Sequence, residues 1–138
     1  MIVVTGNQRS GTSLWMQVFV EAGFPYIGEK FMKNWETSIK DANPKGFYES
    51  AFRTGINFKN NPDIQTGEHI NPMDYLYHVI KIFPVGLLKT EQIYLHRVLA
   101  TIRHWKEYCL SIEQLYQLEI EFFKEDKKDS EQFEKDLQ

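Results

Sequence analysis

The 138-residue sequence has a single cysteine, Cys109, and no apolar run long enough to span a bilayer. One cysteine cannot form an intramolecular disulfide, so a reducing compartment is the simpler expectation. The first predicted strand starts at Ile2, which leaves no room for a signal or transit peptide before it. These features predict a soluble, cytoplasmic protein with no membrane partner.

The sequence also lacks an excess of positive charge and a metal-binding pattern. Its formal net charge is −3, whereas a nucleic-acid-binding surface favours a basic excess, so no nucleic-acid partner is expected. The four histidines, His69, His78, His96 and His104, do not have metal-ligand spacing, and no metal is expected. The length and the hydrophobic content of 42% fit one globular domain covering residues 1–138.

The hydrophobic pattern alternates between strands and helices. A β-branched run at Ile2–Val4 predicts a buried parallel strand, and the apolar segment 14–22 predicts a helix that ends at a Gly-Pro stop. Further strands are predicted at 78–83 and 97–102. Apolar residues recur at helical spacing from Trp105 onward, which predicts an amphipathic helix.

This order predicts an α/β protein with a P-loop-like three-layer fold, in which a mainly parallel sheet is flanked by helices. Residues 26–67 are less regular and predict loops and short helices, and the charged segment 124–138 predicts either a solvated helix or a frayed tail. Ligands of such folds bind outside the carboxyl ends of the strands. The loops after Val4, Phe83 and Ile102 are therefore expected to converge.

The loop after the first strand has the glycine spacing of a P-loop, with four residues between Gly6 and Gly11. Glycines let successive N–H groups point inward, and the following helix adds its positive end, so the segment predicts a site for a phosphate-type anion. Thr12 stands where a P-loop NTPase has lysine, and the cation is Arg9 instead. The alternative is a plain glycine-rich turn at the start of a helix.

Two other polar features accompany the predicted strands. Arg103 directly follows the strand at 97–102, and Ser111 lies eight positions later in the next helix. Taken alone, these two residues favour a surface arginine and an unrelated serine. Lys81 lies inside an apolar strand, where an unpaired lysine would be costly, and the alternative is a lysine on the face of an edge strand.

The two segments together resemble the sulfotransferase family. Residues 9–15 (RSGTSLW) resemble the family's 5′-phosphosulfate-binding loop, and residues 98–103 followed by Ser111 resemble its 3′-phosphate motif. The resemblance covers about residues 1–118 and implies binding of 3′-phosphoadenosine 5′-phosphosulfate (PAPS) and of its product, adenosine 3′,5′-bisphosphate (PAP), without a metal. The nucleotide-binding residues implied by it are Arg9, Ser10, Gly11, Thr12, Ser13, Arg103 and Ser111.

The resemblance further implies transfer of a sulfuryl group from PAPS to a hydroxyl or amine acceptor. Arg9 would stabilise charge that develops on the leaving group, and Lys81 matches a lysine that many family members carry near the transferred group. Glu29, which follows Gly28, is the preferred general base, and Glu49 is the second candidate. The acceptor itself, whether a small molecule, a glycan or a peptide, is left open.

The sequence departs from the family in two respects, which keep other functions open. His104 and the two residues after it stand where the family often has Asp-Pro-Arg, and the chain is shorter than is common in the family. One alternative is a shortened, non-catalytic nucleotide-binding or interaction protein, and another is a homodimer whose partner chain completes the acceptor site. A nucleotide kinase with a degenerate P-loop would need a loop lysine and a strand-ending aspartate, which are not evident.

Overall fold

The computed structural model describes residues 1–33, 35–65 and 67–136, without the side chains of residues 36, 38 and 125–136. The described helices and strands alternate along the chain, and short 3₁₀ turns at Lys40–Ala42, Ala51–Thr54 and Gln92–Tyr94 connect some of them. In chain order the elements are β1 (Ile2–Gly6), α1 (Thr12–Glu21), β2 (Tyr26–Ile27), α2 (Trp35–Ser38), β3 (Val79–Lys81), α3 (Pro84–Leu87), β4 (Arg97–Thr101) and α4 (Trp105–Asp136).

The described strands form one four-stranded parallel sheet in the order β2-β3-β1-β4. Val3 in the central strand β1 pairs with Ile80 of β3 and with Val98 of β4. From β1 the chain crosses to β2 and β3 on one side and then to β4 on the other. The strand order therefore reverses beside β1, and such a reversal opens a crevice at the carboxyl ends of the strands.

The sheet is covered on both faces, which explains the apolar runs in its inner strands. On one face Val3 and Ile80 pack into a core with Phe52 and Ile56 from the irregular segment. On the opposite face Val4 packs against α1, with Met16 of that helix fully buried, and Val79 joins the same cluster. Because side chains alternate along a strand, Lys81 lies on the same face as Val79, towards α1.

The strands predicted near residues 2–4, 78–83 and 97–102 and the two predicted helices are confirmed, so the α/β class is confirmed. Strand β2 was missed, since it has only two residues and follows Pro25, so it has no alternation to detect. Helix α4 continues to Asp136, so the backbone of the charged segment is helical as far as that residue. Residues 137–138, and the side chains from 125 onward, lie outside the described part.

No helix in the described part of the chain combines the length and the apolar character needed to cross a membrane.

Candidate functional site

The glycine loop lies between β1 and α1 and is fastened to β4. Within the loop, the Ser10 backbone N–H and its hydroxyl both donate to the carbonyl of Asn7, at 3.1 and 2.7 Å. The Ser10 hydroxyl oxygen also lies 2.7 Å from the Thr101 hydroxyl oxygen, and Thr101 donates to the carbonyl of Thr5 at 3.2 Å. These contacts hold the loop at the carboxyl ends of β1 and β4.

The two glycines of the loop are required for different reasons. A Cβ atom at Gly6 would collide with the side-chain oxygens of Thr101 and Ser10, so the close approach of the loop to β4 depends on this glycine. Gly11 stands immediately before α1 and has a φ of 97°, a backbone conformation that residues other than glycine rarely adopt. Its surroundings are open, so the reason for this glycine is its conformation and not a lack of space. The chain thus enters α1 with its N-terminal N–H groups at the loop.

Arg9 connects this loop to α4. Its Nε atom donates to the hydroxyl of Ser111 at 2.9 Å, and its Nη1 atom donates to the carbonyl of Ala42 at 3.2 Å. Arg9 itself has a positive φ of 65°, which is uncommon for a residue other than glycine. The two segments that resemble the nucleotide-binding motifs are therefore in direct contact through the side chains of Arg9 and Ser111.

Arg103 lies beside Arg9 and adds a second positive charge. Its Nη1 atom donates to the Arg9 carbonyl at 3.0 Å, and its Nε atom lies 3.4 Å from a carboxylate oxygen of the exposed Glu107. Burial lowers the pKa of Arg9, and the nearby Arg103 charge lowers it further. Among the described residues no carboxylate forms a salt bridge with Arg9, so the two guanidinium groups are incompletely neutralised. A bound anion would relieve their repulsion.

Lys81 forms a buried network that joins the sheet to α1. Its Nζ atom lies 2.7 Å from Oε1 of Glu49 and donates to the hydroxyl of Ser13 at 3.0 Å. Only 2% of the Lys81 surface is exposed, and β3 is an inner strand, so the edge-strand alternative is wrong. Burial lowers the pKa of Lys81, while its contact with Glu49 opposes that effect.

Glu49 has one paired and one unpaired carboxylate oxygen. Oε1 contacts Lys81, whereas Oε2 is buried and has no hydrogen-bond partner in the described part of the chain. The preceding residue, Tyr48, has a positive φ of 55°. Strained backbone conformations of this kind occur at functional sites, where the surrounding structure over-determines them.

The backbones of Glu29 and Glu49 are paired, but the Glu29 side chain does not line the cavity at the glycine loop. The N–H of Glu29 donates to the Glu49 carbonyl at 2.8 Å, and Gly28 lies so close to that carbonyl that an added Cβ would be 2.7 Å from the oxygen. The Glu29 side chain is exposed and lines a second cavity, which Glu49 also lines. Of the two predicted bases, only Glu49 lines the cavity at the glycine loop.

The cavity at the loop has a volume of about 580 Å³, within the range of about 300–1,000 Å³ typical of small-molecule sites. We call it the loop cavity. Most of the predicted site residues line it, whereas Ser10, Glu29 and Ser111 do not, although Ser111 contacts Arg9. The predicted residues that line it are Arg9, Gly11 to Ser13, Glu49, Lys81 and Arg103.

The loop cavity also contains residues that the sequence did not single out. Gln17 of α1 donates to the side-chain oxygen of Asn43 and to the carbonyl of Gly46, both at 3.0 Å. These two bonds hold the turn at residues 43–46 against α1. Trp35 and Phe47 meet edge to face with ring centroids 5.2 Å apart. The aromatic content of 14% was the one signal for a site that stacks a flat group, and it did not indicate which rings.

Within the described residues, no group of three or more histidine, cysteine, aspartate or glutamate side chains is arranged to hold a metal ion.

Comparison with protein-family models, with curated proteins and with solved structures gave no match to this chain. Its function must therefore be inferred from the loop, the two arginines and the buried lysine themselves.

Proposed function

We propose that this chain is a sulfotransferase-like protein that binds PAPS and PAP and transfers the sulfuryl group to a hydroxyl or amine acceptor. The contact between Arg9 and Ser111 carries the proposal. It joins the loop that resembles the 5′-phosphosulfate site to the segment that resembles the 3′-phosphate site, although the two residues are 102 positions apart. Both segments would then bind one nucleotide that has a phosphate at each end.

The loop supports the finer description of the fold as P-loop-like. It connects the central strand β1 of a parallel sheet to the N-terminus of α1, and it has the glycine spacing of a P-loop. Backbone N–H groups of Gly11 to Ser13 would hold the 5′-phosphosulfate, with the positive end of α1 behind them, whereas the Ser10 N–H is already bonded to Asn7 and shapes the loop. Thr12 occupies the position of a P-loop lysine, but it is buried and uncharged, so Arg9 is the positively charged residue of the loop.

Arg9 and Arg103 favour an anionic ligand in the loop cavity, where Lys81 is paired with Glu49 and Glu119 is a further carboxylate in the lining. Arg103 would hold the 3′-phosphate, Ser111 would position Arg9 from outside the cavity, and Arg9 would stabilise charge developing on the leaving group. Lys81 contacts Ser13 in the first turn of α1, so its ammonium group lies next to the segment that would hold the phosphosulfate. The rings of Trp35 and Phe47 offer an apolar wall for the adenine base.

The geometry favours Glu49 over Glu29 as the general base. Glu49 lines the loop cavity and contacts Lys81, whereas the Glu29 side chain is exposed in the neighbouring cavity. In the transfer step, PAPS supplies the sulfuryl group, and a base on the protein must accept the proton of the acceptor hydroxyl. From the sequence, Glu29 was preferred because it closely follows the first helix and Gly28 leaves room for a ligand beside it, and that preference does not account for the pairing of Glu49 with Lys81.

An exposed apolar surface beside the site keeps the non-catalytic and the dimeric alternatives open. Val98 of the edge strand β4 is 49% exposed, and Ile102 and Trp105 beyond it are 95% and 65% exposed. Exposed apolar side chains on an edge strand and just after it favour contact with another chain or segment. In the dimeric alternative, that contact would complete the acceptor site. In the non-catalytic alternative, binding a partner at this surface would itself be the function.

Calorimetric titration of PAP, ADP and AMP tests the proposed function. PAP should bind at least about tenfold more tightly than ADP or AMP, because only PAP places a 3′-phosphate against Arg103. Equal affinities for the three nucleotides would contradict the assignment of the 3′-phosphate site.

A further inference from the structure

A second cavity of about 800 Å³ lies next to the loop cavity, and Glu49 lines both. We call it the side cavity. Its wall comes from three parts of the chain, near residues 28–32, 49–54 and 59–68. The pairing of the Glu29 N–H with the Glu49 carbonyl fixes the first of these parts against the second. The side cavity is therefore a second ligand-sized space that shares one carboxylate residue with the predicted nucleotide site.

Two buried polar atoms at the side cavity have no partner. They are Oε2 of Glu49 and the hydroxyl oxygen of Ser50, and neither makes a hydrogen bond within the described part of the chain. Glu49 and Ser50 are 6% and 5% exposed, and both line the side cavity. Buried polar groups are almost always hydrogen-bonded in folded proteins, so two adjacent exceptions at one cavity call for a polar partner from outside the chain, either water or a polar ligand.

The lining of the side cavity differs chemically from that of the loop cavity. None of the described residues that line the side cavity is aromatic, whereas Trp35, Phe47 and Phe83 line the loop cavity. The side cavity presents hydroxyl, amide, carboxylate and guanidinium groups, including those of Ser50, Asn60 and Arg53. A flat phenol would lack an apolar slot there, while a compound with many hydroxyl groups would find donors and acceptors.

The charged residues of the side cavity further restrict the class of ligand that it can bind. Four carboxylate residues line it, Glu29, Glu49, Asp63 and Glu68, against the two cations Arg53 and Lys59, and of these carboxylates Glu49 is also paired with Lys81. Burial raises the pKa of Glu68, and the nearby charge of Asp63 raises it further, so an additional anion at this end of the cavity would also be disfavoured. An acceptor that carries sulfate or carboxylate groups would add to the repulsion, whereas a neutral or amine-bearing one would not.

We propose that the side cavity is the acceptor site and that it takes a polyhydroxyl compound, either uncharged or amine-bearing, of the sugar or amino-sugar class. This inference rests on the proposed function, because the loop cavity must hold the sulfuryl donor. The acceptor hydroxyl lies against Glu49, whose Oε2 takes its proton. The acceptor oxygen forms a bond to sulfur, the bond between sulfur and the bridging oxygen breaks, and PAP leaves with that electron pair.

The test uses an exposed residue on the wall of the side cavity. Ile64 lines the cavity and is 91% exposed, so Ile64→Trp narrows the cavity without disturbing the core. Met73 is similarly exposed at 82% and lies outside both cavities, so Met73→Trp is the matched control. Ser50→Ala removes one of the two unpartnered polar atoms.

Binding of maltotriose, glucosamine, 2-naphthol and a sulfated disaccharide is measured in the presence of saturating PAP, and PAP binding is measured separately. Maltotriose or glucosamine should bind the wild type more tightly than the other two probes. Ile64→Trp should weaken that binding by about tenfold or more, and Ser50→Ala by about fivefold. Both variants and Met73→Trp should retain the PAP affinity of the wild type.

Three results would overturn the inference and can be told apart. If PAP binds but 2-naphthol or the sulfated disaccharide is preferred, the acceptor class is wrong while the proposed function stands. If the sugars bind equally well to the wild type and to Ile64→Trp, the site is elsewhere. If PAP does not bind, the proposed function fails and this inference fails with it.

Discussion

Arg9 and Arg103 lie at the same end of the sheet but have different partners. Arg9 is held in two directions, by Ser111 and by the carbonyl of Ala42, whereas Arg103 is exposed and contacts the Arg9 backbone and Glu107. A side chain held on two sides is preorganised, and preorganised charge is most effective on a transition state. Arg103 is exposed, so it is better suited to the ground-state binding of a phosphate that enters from solvent.

This difference predicts opposite kinetic effects for the two arginines. Arg9→Ala should reduce turnover by at least about 100-fold with a smaller loss in PAP affinity, because its charge acts mainly on the leaving group. Arg103→Ala should mainly weaken PAP binding, by about 2 kcal/mol for a lost charge-assisted contact. Calorimetry and a sulfate-transfer assay measure the two effects. Arg97→Ala is the control, since Arg97 is exposed at the opposite end of β4. The reverse pattern would mean that the two roles are exchanged.

The sequence predicted these two arginines but could not predict the partner of Lys81. A lysine in an apolar strand must be paired or deprotonated, so its importance follows from burial alone. Its partner, Glu49, lies 32 positions earlier, within the irregular segment 26–67, which has no periodic pattern. No local rule connects the two positions. The preference for Glu29 came partly from its short distance from the first helix along the chain, which says little about distance in space once the chain is irregular.

The elements around β1 follow from short-range physics and were predictable. A β-branched strand, a glycine loop and an apolar helix are each specified by adjacent residues, and α1 then covers the face of the sheet that carries Val4 and Val79. Strand β2 is specified by its neighbour instead, since its two residues pair with Val79 and Ile80. The contact between the loop and β4 is likewise tertiary, because Ser10 meets Thr101 91 positions away.

That contact between loop and strand predicts the effect of Gly6→Ala. The new Cβ would collide with Thr101 and Ser10, and overpacking of this kind costs roughly 1–3 kcal/mol. The loop would also have to move away from β4, so PAP affinity should fall by about tenfold or more. Urea denaturation and calorimetry measure the two losses.

Gly23→Ala provides the matched control for Gly6→Ala. Gly23 has a positive φ of 84° after α1 and open surroundings, so alanine there introduces backbone strain of roughly 1–2 kcal/mol without a collision. It should therefore lower the free energy of unfolding but leave PAP affinity unchanged. Equal losses of PAP affinity in both variants would show that stability alone, and not the geometry of the loop, controls binding.

At the scale of the whole molecule, the strand order determines where the site lies. The reversal beside β1 places the ends of β1, β3 and β4 around one crevice, and these ends supply the loop, Lys81 and Arg103. The convergence of the loops was predictable from the parallel α/β pattern. The division of the crevice into two cavities was not, because it depends on how the irregular segment before β3 folds over the sheet.

The same arrangement predicts that nucleotide binding stabilises the whole protein without a metal. Arg9, Arg103 and Lys81 supply the positive charge at the loop cavity, and the described residues contain no cluster of metal ligands. PAP at about 100 times its dissociation constant should add about 2.7 kcal/mol to the free energy of unfolding. For a chain of this size that corresponds to a rise in Tm of roughly 10 °C.

Thermal denaturation with PAP should give the same rise in EDTA as in magnesium, because the arginines and backbone N–H groups would bind the phosphates without a metal ion between them. A rise that appears only with magnesium, or one that ATP produces as well as PAP, would instead favour a nucleotide kinase.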